Sequence, residues 1–397
     1  MAAVGLMFPP DRQALALLEP LLDDIDYGGV TPETLWGPGR APNAFHGILA
    51  QLAGALPFVA HGVAANLCGA EGGHWPEHLR ALARDHAIFR FLWASDHLGA
   101  VKLGSEHVGL PVPIDAPPAR LRRRLGYLRA LVGTAAVENS AVYAWPGPMA
   151  DEARALGESL GQEHHLLLDV HNLWTGAINA GESPQAWLDA APLDRVIEIH
   201  ISGGKDAPPA WSPDRRRRLD SHDDAIPEPV WALLEQVLPR CPGLRGVTLE
   251  RVEGSFGAPE IPRLREELQR ARELSVHHGL PLGQPQQGSL NAALELLDEN
   301  EVGLTEPHLA RAYRCREVPA GLDPQGFGIA CRLVLRLRFE RLIHGDVQAA
   351  QWFERDDAGF AVEMARYHRE VPMTASTPWD EAALWRAWRA QSLSTTS

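Results

Sequence analysis

Nine side chains able to bind a hard or borderline cation recur along the chain: His61, His97, Glu138, Asp169, His171, His200, Asp220, His222 and Glu250. Most close an apolar run. "FVAHGV" carries His61, "WASDHLG" carries Asp96 and His97, and "TAAVENS" carries Glu138 and Asn139. "HLLLDVHN" ends in Asp169, His171 and Asn172, "RVIEIHISGG" holds Glu198 and His200, and "GVTLERVEG" holds Glu250. Asp220 and His222 stand in the loop "DSHDD". A single histidine after a strand is usually a rim residue held by ordinary hydrogen bonds. Six consecutive runs ending in carboxylates or imidazoles need another cause. Clustered carboxylates repel and take up protons, unless bound cations supply the countercharge. The donors are nitrogen and oxygen without thiolate. That disfavours structural zinc, copper(I) and iron–sulfur clusters, and suits iron, manganese or catalytic zinc. About nine donors exceed the roughly six positions of one ion. Two or three ions are expected, with a carboxylate such as Glu138 bridging.

These donors need a scaffold that brings successive strand ends together. Eight strand-length apolar runs alternate with amphipathic stretches: Val4 to Phe8, Asp23 to Val30, Phe58 to Val63, Trp93 to Gly99, Thr134 to Ser140, His165 to Asn172, Arg195 to Gly204 and Gly246 to Gly254. The alternation implies parallel strands with crossover helices. Eight such units in about 280 residues match an α/β (β/α)8 TIM barrel, whose active sites form where the strands end. A doubly wound open sheet is the competing architecture. Asp169 and His171 are expected to share the inward face by the two-residue strand period. "PRLREELQRARELSVHHG" reads as a helix stopped by Gly279. Residues 1–280 are therefore assigned to the barrel. The Gly-, Pro- and Gln-rich residues 281–290 read as a linker. Residues 291–397, with "LNAALELLDEN" and "GIACRLVLRLRFERLIHG", read as a small helical domain that docks a partner or a peptide.

Composition narrows the partners. The 397 residues are 45% hydrophobic and 22% charged, with a formal net charge of -14. Nucleic acid and anionic membranes are not expected partners of so acidic a chain. The one basic run, Arg215 to Arg218, is expected to be a solvated loop. The four cysteines form no CxxC pair, which suits a reducing cytoplasm. No secretory signal and no membrane span is expected.

The chain resembles the multinuclear non-heme iron-dependent oxidative enzymes, the family of the iron oxidase of methanobactin biosynthesis. The matching stretches are "HGV", "SDH", "LPVPI", "VENSAVY", "LLLDVHNLWTGAINAG", "DRVIEIHISGG", "DSHDDAIPEPVWALLEQVL" and "TLER", in family order over the first 280 residues or so. The resemblance implies a xylose isomerase-like TIM barrel holding two or three irons, Fe(II) or Fe(III), with O2 as co-substrate. It implies oxidative modification of a ribosomally made precursor peptide, commonly at a cysteine, with a partner protein or a fused recognition domain presenting that peptide. Carried over, His61, His97 and Glu138 are one ligand set. Glu138, Asp169, His200 and Glu250 are a second, and His171, Asp220 and His222 a third. Glu138 and Asp96 are the expected catalytic residues, Asp96 as a ligand or as the group orienting His97. Here "DVHN" puts His171 where the family usually has asparagine. Glu33 alone fits the family's acidic position after the second strand, and Val252 replaces a common aspartate.

Two other classes remain open from the residues alone. A metal-dependent isomerase or phosphoesterase of the same barrel superfamily would use a similar donor set without oxygen. A non-catalytic scaffold would hold no metal.

Overall fold

The computed structural model describes residues 1–69, 74–114, 116–145, 147–252, 254–297 and 307–394. Its strands are β1 (Ala3–Met7), β2 (Tyr27–Val30), β3 (Phe58–Gly62), β4 (Ala94–His97), β5 (Ala100–Leu103), β6 (Glu106–Val112), β7 (Ala135–Glu138), β8 (His165–Asp169), β9 (Val196–Ile201) and β10 (Gly246–Leu249). Eight of them close into a barrel in the order β1-β10-β9-β8-β7-β4-β3-β2. All its ladders are parallel, and β1 pairs with both β10 and β2. The fold is the (β/α)8 barrel, and the open sheet is excluded. β5 and β6 form a separate antiparallel hairpin just after β4, which the sequence pattern did not distinguish.

The strand period arranges the barrel interior in layers. Val59, Trp93, Ala136 and Leu167 belong to one buried cluster with Tyr27. Two residues further along the same strands stand His61, Ser95, Glu138 and Asp169. The Tyr27 ring fits because Gly5 and Gly246 have no side chain; a Cβ on either would collide with it. An aromatic plug therefore closes the barrel beneath the candidate ligands.

Three sequence expectations need correction. The run from Asp23 is not strand at its start: a 3-10 helix spans Glu19–Asp24, with Pro20 at its first turn, and β2 begins at Tyr27. "HLLLDVHN" divides at Asp169. That residue caps the helix Val170–Ala180, its carboxylate accepting from Asn172 N at 2.7 Å. His171 thus lies on the helix's first turn, and the strand period does not place it. The helix before Gly279 ends at Ser275; Gly279, at φ 73°, serves a tight turn four residues on.

Segment 281–289 has no regular structure but is held against the barrel. Ser289 N donates to Ala130 O, and Gly288 lies too close to Leu131 O to carry a side chain. The helix expected over "LNAALELLDEN" spans Leu290–Glu295, and residues 298–300 lie outside the described residues. Five further helices follow: Pro307–Cys315, Pro324–Gly345, Val347–Arg355, Asp357–Glu370 and Pro378–Ser394. Part of this helical region has its own core around Phe360, Tyr367, Trp385 and Trp388. Its other core is shared with the barrel. Phe327, Ile329, Val334 and Met373 pack with Leu103 and Val108 of the hairpin, Tyr143 after β7 and Leu219 after β9. The helical region is built onto the face where the strands end. Among the described residues no helix is long and apolar enough to cross a membrane.

Candidate metal centre

Each interior position at a strand end was fixed by the alternation below it, so His61, Glu138, Asp169 and His200 converge at the barrel mouth. Three groups of donor atoms lie within 4.8 Å of one another: His61, Glu138 and His200; Glu138, Asp169, His200 and Glu250; and His171, Asp220 and His222. His97 joins the first, with Nε2 2.9 Å from Glu138 Oε2. The groups form one chain through shared carboxylates. Glu138 Oε2 faces His61 at 3.3 Å, while its Oε1 faces His200 at 3.5 Å. Glu250 Oε1 faces His200 at 3.2 Å and its Oε2 faces His222 at 3.5 Å. Asp220 Oδ1 lies 2.7 Å from His222 and 3.1 Å from His171.

These are short contacts with few formed hydrogen bonds. Among the described residues, Glu138 Oε2, Asp169 Oδ2, His222 Nε2 and both ring nitrogens of His200 are buried without a hydrogen-bond partner. Buried polar atoms in folded proteins nearly always have one. Several such atoms facing one another are an arrangement that bound cations would satisfy. The donors thus fit bound metal.

Neighbouring groups orient the donors. His61 Nδ1 lies 3.0 Å from Ser95 Oγ and His97 Nδ1 lies 3.3 Å from Gly62 O, so both Nε2 atoms turn inward. Glu198 holds His200: it contacts Nε2 at 3.3 Å and accepts from Trp93 Nε1 at 2.6 Å and Thr248 Oγ1 at 2.5 Å. This leaves His200 Nδ1 for the cluster, the usual carboxylate brace on a metal-binding imidazole. Asn139 clamps β8 by accepting from Asp169 N at 2.9 Å and donating to Asp169 O at 3.0 Å. His222 has φ 48°, a left-handed backbone at a non-glycine candidate ligand.

The protonation states show what the cluster lacks. Burial opposes charge on His97 and His222, yet Glu138 beside the first and Asp220 beside the second raise each to about 10. Burial, with Glu138 and Asp220 nearby, pushes the Asp169 carboxyl well above its usual range. Burial and its imidazole neighbours together lower His61 to about 4, despite Glu138. Burial opposes charge on His200 as well, yet Glu250 and Glu198 raise it well above its usual range, so protons on three imidazoles face Glu138, Asp220 and Glu250. Among the described residues, every ion pair of Glu138, Asp220 and Glu250 is to a histidine.

Asp96 stands apart from the three groups. Its Oδ2 accepts from Ala65 N at 2.9 Å, and its Oδ1 accepts from His97 N at 2.8 Å. Of the two roles expected for it, this geometry favours orienting His97 and the loop after β3. Glu33 lies beside it across Gly62, whose missing side chain makes room for both carboxyls. Burial, with the Asp96 charge, raises Glu33 to about 7, and burial raises Asp96 to about 6.

The basic run is not a solvated loop. Arg217 and Arg218 are buried. Arg218 pairs with Asp206 at 3.0 Å and lies over the Trp174 ring. Arg217 pairs with Asp214 and reaches Asp323 at 2.7 Å at the start of the helix Pro324–Gly345. These contacts, with Tyr143 Oη accepting from Asp220 N at 3.0 Å, hold the loop that carries Asp220 and His222. Sequence reasoning missed this; the one local signal was Asp214, three residues before Arg217.

Fold and site together define a TIM-barrel protein with a buried, shared-carboxylate donor cluster at its mouth. The chain belongs to the RiPP precursor modification enzyme family MbnB/TglH/ChrH, whose model matches residues 4–276. A UPF0276 protein of Pseudomonas aeruginosa is 31% identical over 281 residues, covering 66% of this chain and 91% of the relative. A UPF0276 protein of Rhizorhabdus wittichii is 30% identical over 269 residues, covering 64% and 88%. Among solved structures, a xylose isomerase domain containing protein of Salmonella typhimurium is similar at a TM-score of 0.44 and 15% identity, over 69% of this chain and 97% of that one.

Proposed function

We propose that the protein uses two or three irons, Fe(II) or Fe(III), and O2 to modify a ribosomally made precursor peptide oxidatively, at a cysteine. The observation that supports this is the cluster itself: buried nitrogen and oxygen donors, free of thiolate, with unpartnered atoms facing inward. His61, His97 and Glu138 would hold one ion. Glu138, Asp169, His200 and Glu250 would hold a second, and His171, Asp220 and His222 a third. Glu138 and Glu250 each turn their two oxygens toward different imidazoles, which suits both to bridging. Bound iron would supply electron transfer with O2 and a seat for the substrate's thiolate.

The chain's own residues do the rest. Glu198 and Ser95 fix the imidazoles that carry the ions, and the plug of Tyr27 and Trp93 excludes water from below. His97, Asp220 and His222, with 17%, 20% and 26% of their side chains exposed, are the open side through which peptide would arrive. The helical region on that face would act as the recognition element that presents the precursor, alone or with a partner protein. Four free cysteines suit action in the reducing cytoplasm.

Elemental analysis and Mössbauer spectroscopy on protein purified without oxygen test this directly. Two or three irons per chain, partly ferric, are expected. Zinc or manganese alone, with iron unable to restore activity, would replace the oxidase with the isomerase or phosphoesterase of the same superfamily.

A further inference from the structure

A second feature opens on the barrel face beside the His61 end of the cluster. Two adjoining cavities, of about 570 and about 410 Å³, share Glu33, Arg40, Ala64, Glu77 and Ser376 in their walls and so form one groove. Its floor is the chain just after β3, where Ala64 follows His61 by three residues. Ala64 N donates to Glu33 Oε1 at 3.1 Å, which ties the floor to the loop after β2. One wall comes from the barrel and the β5–β6 hairpin. The other comes from the helical region, through Arg341 and the Ser376–Thr377 segment.

The charge of this groove opposes that of the molecule. The protein carries a net -14, yet Arg40, Arg80, Arg84, Lys102 and Arg341 line the groove against Glu33 and Glu77. Two of the arginines are held with nitrogens unsatisfied. Among the described residues, Arg40 Nη1 is buried without a hydrogen-bond partner, as are Arg341 Nε and Nη2. The nearest carboxylate to Arg341 Nε is Glu381, at 3.7 Å. Arg40 is presented by a turn in which both Gly39 and Arg40 have left-handed backbones, φ 62° and 57°. Arg84 Nη1 braces that turn by donating to Arg40 O at 2.6 Å, and the Arg40 guanidinium lies over Trp36. Arg80 is exposed on the helix Trp75–Phe89, directed to the same groove. A guanidinium presented from a strained turn with an unmade hydrogen bond is suited to a carboxylate brought from outside.

We propose that this groove seats an acidic segment of the precursor peptide, gripping its carboxylates between the barrel and the helical region and leading the chain toward the His61–His97 end of the donor cluster. The inference rests on the peptide-modifying role proposed above, since it supplies the peptide. It is independent of iron and of oxygen. An acidic peptide is favoured over nucleic acid because the rest of the surface would repel a polyanion longer than the groove.

The test is fluorescence anisotropy of fluorescein-labelled oligoglutamate with the full chain, metal-free and iron-loaded, at low ionic strength. Oligoglutamine and oligothymidylate of the same length are the controls. Saturable binding of oligoglutamate is expected in both metal states, weakening as salt is added. Arg80→Glu should weaken it about tenfold, because reversal turns an attraction into a repulsion. Arg341→Gln should weaken it as well, whereas Arg154→Glu, on the helix Met149–Leu160, should not. Arg80 is exposed, so its variant reports on the groove even if Arg341→Gln fails to fold. No saturable binding, unchanged binding by Arg80→Glu, or oligothymidylate bound as tightly as oligoglutamate would each overturn the proposal. A protein that cannot be loaded with iron yet binds oligoglutamate would discard the oxidase and keep the groove; an active oxidase whose oligoglutamate binding is indifferent to Arg80→Glu would do the reverse.

Discussion

The barrel mouth and the helical region both bury carboxylates, and they neutralise them differently. In the helical region Glu381 is fully enclosed. It accepts from Arg338 Nε at 2.8 Å and Tyr367 Oη at 2.6 Å, with the Arg338 guanidinium over the Tyr367 ring. The chain supplies the cation. At the barrel mouth Glu138, Asp169 and Glu250 are equally buried, but the partners offered are imidazoles whose own charging is opposed by burial. A buried pair with a strong hydrogen-bonded cation is self-contained. A buried set whose only countercharges are protons taken up by imidazoles can exchange those protons for a cation from solution. That contrast separates structural from functional burial here better than the residue types do.

The largest effect expected from breaking the comparison is at Glu138. Glu138→Gln removes the carboxylate whose two oxygens serve two donor groups. Metal content should fall, and turnover should drop by more than the 10–100-fold typical of losing an outer hydrogen-bond partner. Elemental analysis and single-turnover assays check both. Full loading with full activity would remove Glu138 from the centre.

Arg338→Met makes the opposite incision. It leaves Glu381 buried without its cation, so folding stability should fall by about 3–5 kcal/mol. Metal per folded chain should be unchanged. Denaturant melts paired with elemental analysis read this; loss of metal in proportion to Glu138→Gln would erase the distinction between the two regions.

Glu198→Gln should act in between. Glu198 belongs to none of the three donor groups, and it would act on bound metal only through His200. Metal affinity or turnover should fall about 10–100-fold. Loss of all metal would make it a ligand rather than a brace.

How much of this was legible in the chain follows from the same physics. Their positions at strand ends placed His61, Glu138, Asp169 and His200 at the mouth; the two-residue period sets the first three above Val59, Ala136 and Leu167 of the plug and His200 above its brace Glu198. Barrel topology was readable from the alternation of runs. His171 was misplaced because Asp169 is at once a strand end and a helix cap. A carboxylate can be either, and only the hydrogen bond that Asn172 N donates to Asp169 Oδ1 decides it. Arg217 and Arg218 were misread because Asp214 was their only local sign, while Asp206 and Asp323 come from segments whose approach no local pattern records. The shared core of hairpin and helical region was hidden for the same reason: each half looks amphipathic, and nothing in either names the other.

The smallest effect tests the comparison at a carboxylate that has neither arginine nor imidazole. Glu152 is buried on the helix Met149–Leu160 and accepts from Trp187 Nε1 at 2.8 Å. Burial raises its carboxyl to about 7, a rise that the Trp187 hydrogen bond only limits. An acid with a raised folded-state value binds more protons folded than unfolded, so stability falls as pH rises through the window from about 4.5 to about 7. Below that window both states are protonated and nothing is lost; above it the full cost is present. Glu152→Gln keeps the acceptor for Trp187 without the charge. At pH 5 it should match the native chain closely, and at pH 8 it should be more stable by on the order of 2 kcal/mol. Denaturant melts at the two values measure the difference. An equal stability gap at both would mean that Glu152 is ionised in place, and that a buried carboxylate in this fold can persist without any cation at all.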